Sequence, residues 1–336
     1  MGVQGFKPSP PVGVDTDRGR GRHRGGFPLG DASEGMDTVV VTGGRGASGR
    51  WVVNRLREED EVVVVDRDHP GFGAEPVGNV DFRAADLTDR GAVRELIAGI
   101  DPDVVVHWGA IPALGRHPEG EVFENNAVAA YNVLTAAGEA GARIVQASSD
   151  GAYGFFFAEE TPLPDELPIT ESHPRRPADG YGLSKVAAEE VAAGVARRHG
   201  VQAVSIRPSW IQEPGGYPCR EPEYTEDLDA GAGNYWSYVD ARDVASMVEA
   251  ALATEFASEG GHEAFNCVAA DNALGEPLAE LLERYYGDVP DAGSGVDGDG
   301  SAYSVGKAEE LLGWAPEHSW REAADENVPR PTLVRD

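Results

Sequence analysis

The chain has 336 residues, 41% of them hydrophobic, with 58 acidic against 28 basic side chains and a formal charge of -30. That content buries a large core, one big α/β unit or one unit with a small lobe, and no apolar run approaches the roughly 18 residues of a membrane span. So acidic a surface offers no basic face to nucleic acid, and two cysteines, Cys219 and Cys267, without metal-ligand spacing indicate neither a disulfide framework nor a metal site and fit a reducing cytoplasm.

Residues 1–35 are rich in Gly, Pro and Arg (Arg18, Arg20, Arg22, Arg24), with no hydrophobic period and no apolar stretch of a secretory signal. They read as a disordered leader, with Met36 as the true start. Only three of the 28 basic residues are lysines: Lys7, Lys185 and Lys307. With the net charge, this reads as a cytosolic protein of a salt-accumulating organism. At molar salt the Debye length falls to about 3 Å, and crowded carboxylates cease to repel one another.

From Thr38 onward, β-branched runs alternate with Ala- and Glu-rich stretches of helical length, the pattern of βαβ units and a parallel sheet. Strands are predicted at 38–42, 62–66, 80–84, 103–107, 143–147, 202–207 and 264–267. Helices are predicted near 47–58, 89–98, 121–140, 181–198, 240–254 and 275–286. The Pro/Gly-rich stretches 155–178 and 208–237 read as loops, and Asp288 to Gly300 as a flexible acidic spacer. The fold class is therefore a doubly wound parallel Rossmann sheet. Residues 36–207 form its nucleotide-binding domain, and 208–336 a small substrate lobe interleaved with the last strand and helices.

Between the first strand and the first helix stands Thr42-Gly43-Gly44-Arg45-Gly46-Ala47-Ser48-Gly49. Gly43 permits a tight turn, Gly46 lets the backbone approach a pyrophosphate, Gly49 lets helix and strand pack closely, and the helix N-terminus supplies free N–H donors. Asp66 ends the second strand about twenty residues on, where a carboxylate accepts hydrogen bonds from the adenosine ribose. The cofactor is NAD or NADP: Asp66 repels a 2′-phosphate, whereas Arg45 and Arg67 are within reach of one.

Tyr181 and Lys185 lie four residues apart on one predicted helix face. A lysine kept where nearly every other basic residue is arginine implies a need for a compact ammonium. A cation there is expected to lower the phenol's pKa from about 10 and make it a usable base. Upstream, the fifth strand runs into Ser148-Ser149-Asp150-Gly151 at the carboxyl end of the sheet, where such folds bind ligands.

These residues resemble the extended short-chain dehydrogenases, the NAD-dependent epimerase/dehydratase family, from residue 37 to about 320. The same resemblance takes in Asp86-Leu87, as the adenine-contacting pair, and His107-Trp108-Gly109-Ala110 after the fourth strand. It extends to Asn126, as a cofactor contact, to Arg207-Pro208 with Ser209 beside the nicotinamide, to Tyr238-Val239-Asp240, and to Leu311-Leu312-Gly313-Trp314. It implies Ser149 as the catalytic serine, Tyr181 as the base and Lys185 as a second holder of the nicotinamide ribose. Ser48 joins the cofactor contacts, and a homo-oligomer, in the first instance a dimer, is implied.

The departures from that family bear on the reaction. Gly151 stands where the dehydratases carry an acid/base glutamate, which disfavours dehydration. Only 32 residues separate Arg207 from Asp240, with no predicted helix, and 213–229 contains Glu213, Glu221, Glu223, Glu226, Asp227 and Asp229. That is a short and acidic wall for a nucleotide diphosphate, so a small substrate is expected. Trp210, Trp236 and Phe155 to Phe157 either stack on a sugar ring or belong to the core. The compact lobe resembles the uronate and L-arabinose 1-dehydrogenases, which implies oxidation of the C1 hydroxyl of a free aldose or uronate to its lactone, with Ser149, Asp150, Tyr181, Trp210 and Trp236 around the sugar. A sugar-nucleotide 4-epimerase and a non-catalytic NAD(P) sensor are the competing readings.

Overall fold

The computed structural model describes residues 36–71, 73–255, 261–287, 289 and 298–335. The predicted leader, and most of the predicted spacer between Asp288 and Gly300, lie outside them. Seven parallel strands form the central sheet: β1 (Thr38–Thr42), β2 (Glu61–Asp66), β3 (Val80–Ala84), β4 (Val104–His107), β5 (Arg143–Ala147), β6 (Ala203–Pro208) and β7 (His262–Cys267), in the order β7-β6-β5-β4-β1-β2-β3. Their runs of valine and isoleucine are buried on both faces, as parallel strands covered by helices must be.

One face packs against α1 (Gly49–Leu56) and, across the 208–237 segment, a helix spanning Ala241–Ala253; the other packs against α2 (Arg90–Ile100), α3 (Glu119–Ala140) and α4 (Gly180–His199). Several helix starts are fixed by an aspartate whose carboxylate accepts from free backbone amides. Asp89 takes those of Gly91 and Ala92, and Asp179 takes that of Gly182. The strand order reverses between β1 and β4, and there the carboxyl ends of the strands diverge into a crevice.

The stretch 208–237 is not the plain loop its composition implies. It holds a short strand, Trp210–Gln212, parallel to Tyr238–Asp240, and two short helices, α5 (Pro222–Thr225) and α6 (Leu228–Ala232). Each helix is too short to show a hydrophobic period, so only its start is visible. Pro222 occupies the first turn of α5, and the Asp227 carboxylate accepts from the Asp229 amide at the head of α6. A third cluster of buried side chains, including Tyr153, Phe155, Ile169, Tyr235, Trp236 and Leu278, takes in Leu228 and Ala232 of α6 and joins the end of the segment to the rest of the lobe.

Candidate active site

The glycine loop meets the sheet as its spacing implies. Gly43 has φ +68°, and a Cβ there would lie 2.6 Å from the Gly109 Cα; a Cβ on Gly49 would lie 2.2 Å from the Gly43 carbonyl oxygen. Backbone, not side chain, therefore forms the floor of the crevice. Ser48 precedes α1 and its hydroxyl accepts from the Trp108 indole at 3.0 Å. Asp66 accepts from the backbone amides of Arg67 at 2.9 Å and Arg45 at 3.3 Å, so the loop and the end of β2 hold each other.

Beside them lies a cavity of about 320 Å³ lined by Gly43, Asp66, Arg67, Asp86, Leu87, Gly109, Ala110 and Asn125 among others. A cradle of glycines in which a Cβ cannot fit, a carboxylate at the end of β2 and a cavity running between them fit the adenosine and pyrophosphate of a dinucleotide. Arg45 turns its guanidinium onto the Asp68 carbonyl, and Asp86 accepts from the Thr88 amide and hydroxyl, which hold its carboxyl below the usual range.

Asn126, expected as a cofactor contact, stands with Gly109, Ala110, Ala147 and Lys185 around a small cleft. Its amide is bonded to the main chain of Ile111, accepting from the N–H at 2.8 Å and donating to the carbonyl at 3.0 Å. It fixes the loop after β4, while its neighbour Asn125, one step round the helix, lines the adenosine cavity. No sequence spacing distinguishes the two; the helix phase does.

Next to it opens a second cavity of about 390 Å³, bounded by Ala47, Ser48, Trp108, Ser149, Asp150, Gly151, Phe156, Phe157, Tyr181, Lys185, Ser209, Trp210 and Glu213 among others. It brings together Ser149 from the end of β5, Tyr181 and Lys185 from one face of α4, and Ser209 just beyond β6. The Lys185 ammonium donates to the Ala147 carbonyl at 2.9 Å and lies 5.4 Å from the centre of the Tyr181 ring. The Tyr181 ring packs on Gly151, where a Cβ would come within 3.3 Å of it. The absence of a side chain at 151 thus has a packing reason as well as a chemical consequence.

Electrostatics correct one expectation. Burial pushes the Tyr181 phenol up to about 12, with the Ser149 hydroxyl pulling the other way, and burial brings Lys185 down to about 8. The lysine by itself does not offset the cost of burying a phenolate. Burial also keeps His107 neutral, near 3, and raises Asp150 to about 6 against the hydroxyls of Ser209 and Ser149.

Behind the cavity Glu189, one turn beyond Lys185, accepts from the Ser148 hydroxyl at 2.5 Å and from Arg207 at 2.8 Å through both oxygens, and from Arg175 at 2.7 Å. Burial opposes ionisation of Glu189, but Arg207, Ser148 and Arg175 outweigh it and hold the carboxyl below its usual range. This ion cluster ties α4 to β5 and β6. The Arg-Pro motif marked Arg207, but nothing in the sequence paired it with Glu189.

The aromatic residues divide. Trp210 and two of the three phenylalanines, Phe156 and Phe157, line the cavity, and Phe157 meets the Tyr181 ring edge-on at 5.7 Å. Phe155 is in the core. Trp236, expected around the sugar, is buried as well: its indole donates to the Leu228 carbonyl at 3.0 Å and its ring packs against Tyr285. The short helix α6 covers it, and that helix is what sequence reading missed.

Among the described residues no cluster of His, Cys, Asp or Glu is arranged to hold a metal ion, and no helix is long and apolar enough to cross a membrane.

The model of the NAD dependent epimerase/dehydratase family matches residues 39–225, more than half of the chain, and the chain belongs to that family. It is 28% identical over 316 residues to a UDP-glucose 4-epimerase of Streptococcus mutans, covering 83% of this chain and 92% of that one. Over 173 residues it is 34% identical to a UDP-glucose 4-epimerase of Streptomyces lividans (50% of each chain) and 32% identical to a uronate dehydrogenase of Pseudomonas putida (51% of this chain, 60% of the relative). The matched segments thus span half and three-fifths of those two relatives. A crystal structure of a UDP-galactose 4-epimerase superposes with a TM-score of 0.60 at 29% identity, covering 86% of this chain and 96% of that one.

Proposed function

We propose that the chain is an NAD(P)-dependent dehydrogenase that oxidises the C1 hydroxyl of a free aldose or uronate to its lactone. The carrying observation is the cavity of about 390 Å³, with Phe156, Phe157, Trp210 and Glu213 in its wall and, among the described residues, Lys185 as the one cation lining it. Nicotinamide and substrate must share that space, which leaves room for one sugar ring and no basic groove for a diphosphate. Of the 32 residues between Arg207 and Asp240 only Arg220 is basic; it donates to the Ala273 carbonyl and stacks on Trp320.

Gly43, Arg45, Gly46, Ser48, Gly49, Asp66, Arg67, Asp86, Leu87, Gly109 and Ala110 would hold the dinucleotide, with Lys185 and Ser209 at its nicotinamide end. Bound there, the dinucleotide would supply the hydride acceptor for C1 and a positive charge that favours ionisation of a nearby phenol. Tyr181 takes the C1 hydroxyl proton, Ser149 bonds the same oxygen, and Lys185, anchored by Ala147, fixes the field around them. Trp210 stacks on the ring and Asp150 accepts from its hydroxyls. In this reading residues 36–207 carry the cofactor and catalytic groups and 208–336 the substrate wall, with the acidic surface suited to concentrated salt.

The epimerase reading is favoured by one observation: a relative that aligns over most of both chains is a UDP-glucose 4-epimerase. A screen of free aldoses, uronates and UDP-sugars against added NAD and NADP separates the two. Stoichiometric reduction of the dinucleotide by free sugars is expected, with UDP-sugars inert. Interconversion of UDP-sugars on dinucleotide that co-purifies with the protein, without response to free sugars, overturns the proposal.

A further inference from the structure

We infer that the substrate is a neutral sugar and that Asp150 is the specificity residue that turns away its carboxylate-bearing counterpart. This rests on the dehydrogenase reading above and narrows it.

The argument is a charge inventory of the cavity. Three ionisable groups other than the phenol line it: Lys185, Asp150 and Glu213. Lys185 is held by the Ala147 carbonyl and belongs to the catalytic group. Glu213 is already paired, with Arg330, and accepts from the Trp51 indole. Asp150 has no cation bonded to it. It is 6% exposed; one carboxyl oxygen accepts from the Ser149 hydroxyl at 3.0 Å, and the other is buried without a hydrogen bond of its own, because the neighbouring Ser209 hydroxyl donates to the Ser237 carbonyl at 3.2 Å.

No arginine lines the cavity among the described residues, and those bonded around it are engaged, Arg330 with Glu213. Arg175 and Arg207 are bonded to Glu189, and Arg50 donates to the carbonyls of Gly46 and Arg45. A uronate carboxylate entering this cavity would lose its water, find no unpaired guanidinium among the described residues that line it, and share the space with a second carboxyl group one residue from the serine that binds the reacting oxygen. A neutral sugar differs only in bringing a hydroxyl donor, and Asp150 has the spare acceptor capacity to receive it. Specificity arises here from an unpaired polar group that one substrate satisfies and the other opposes.

The test uses the full chain and matched pairs that differ only at the carbon bearing the carboxylate, glucose with glucuronate and galactose with galacturonate, followed by NAD(P)H formation. The expected result is a kcat/KM at least tenfold higher for the neutral member of the pair that turns over. Asp150→Asn, which keeps the size and removes the charge, should narrow that ratio at least fivefold, chiefly by lowering KM for the uronate. A wild-type enzyme that oxidises the uronate as well as or better than the neutral sugar overturns the inference alone, even if the variant fails to fold. A ratio unchanged in a folded Asp150→Asn does the same. Absence of turnover with both classes overturns the dehydrogenase reading, and this inference with it.

Discussion

The dinucleotide crevice and the substrate cavity open on the same edge of the sheet but are built in different ways. The crevice is made of backbone: Gly43 and Gly49 bring main chain so close to main chain that a single added carbon collides with it, and at Gly46 it would press on the Gly43 carbonyl at 3.1 Å. The cavity is made of side chains carried on short elements, with Trp210, Phe156 and Phe157 facing the Ser149–Tyr181–Lys185 group. A backbone site tolerates almost no substitution and states itself in sequence as spacing. A side-chain site is free to vary, so its chemistry must be read residue by residue.

Substitutions on the two sides break or sharpen that contrast. The largest effect belongs to the chemistry between them: Tyr181→Phe should lower kcat by at least a hundredfold while dinucleotide binding, measured by fluorescence titration, stays within a factor of about three, since general-base help is worth roughly 10²–10⁴. Unchanged kcat would remove the assigned base. Next, Gly43→Ala forces an L side chain into the left-handed region and against Gly109. NAD(P) affinity should fall at least tenfold and the melting temperature with it; a variant that binds normally would mean the loop is softer than its contacts indicate.

The two tryptophans should respond oppositely. Trp210→Ala is expected to raise KM for the sugar several-fold with Kd for NAD(P) unchanged, whereas Trp236→Ala should lower stability by about 3 kcal/mol and act on KM only through folding. Equal KM effects would mean that α6 moves aside and admits substrate to Trp236.

The smallest effect is a pH-dependent one. The Asp150 carboxyl is raised to about 6 by burial, so its contribution to stability is full below about 4 and is lost as pH rises through 6. Denaturant unfolding of Asp150→Asn should therefore gain on the wild type between pH 4 and 7, on the order of 2 kcal/mol. Parallel curves would show a carboxyl that ionises at its ordinary pH.

The seven strands, the helices α1 to α4, and those at Ala241–Ala253 and Leu278–Tyr286 were legible because each is long enough to show its period, and helix starts carry caps such as Asp89 and Asp179. The helices α5 and α6 were not, because four or five residues cannot display a face, and Glu221 to Ala232 reads as solvent-facing acid. Tyr181 and Lys185 were legible as a pair fixed by helix spacing. Their protonation was not: spacing places an ammonium near a phenol, while burial, which depends on everything packed around α4, decides the sign of the shift.

The sequence by itself determined the parallel sheet, the glycine spacing with Asp66, and the Tyr181–Lys185 pair, because these follow from local periodicity and fixed offsets along the chain, while Ser149 was marked by resemblance to the family. Tertiary structure alone decided that Asn125 rather than Asn126 lines the cavity of about 320 Å³, that Trp236 is core and Trp210 wall, and that Glu189 binds Arg207 behind the site. It also left Asp150 uncompensated in the cavity. Each of these depends on which segments distant in sequence meet, and no offset along the chain records that.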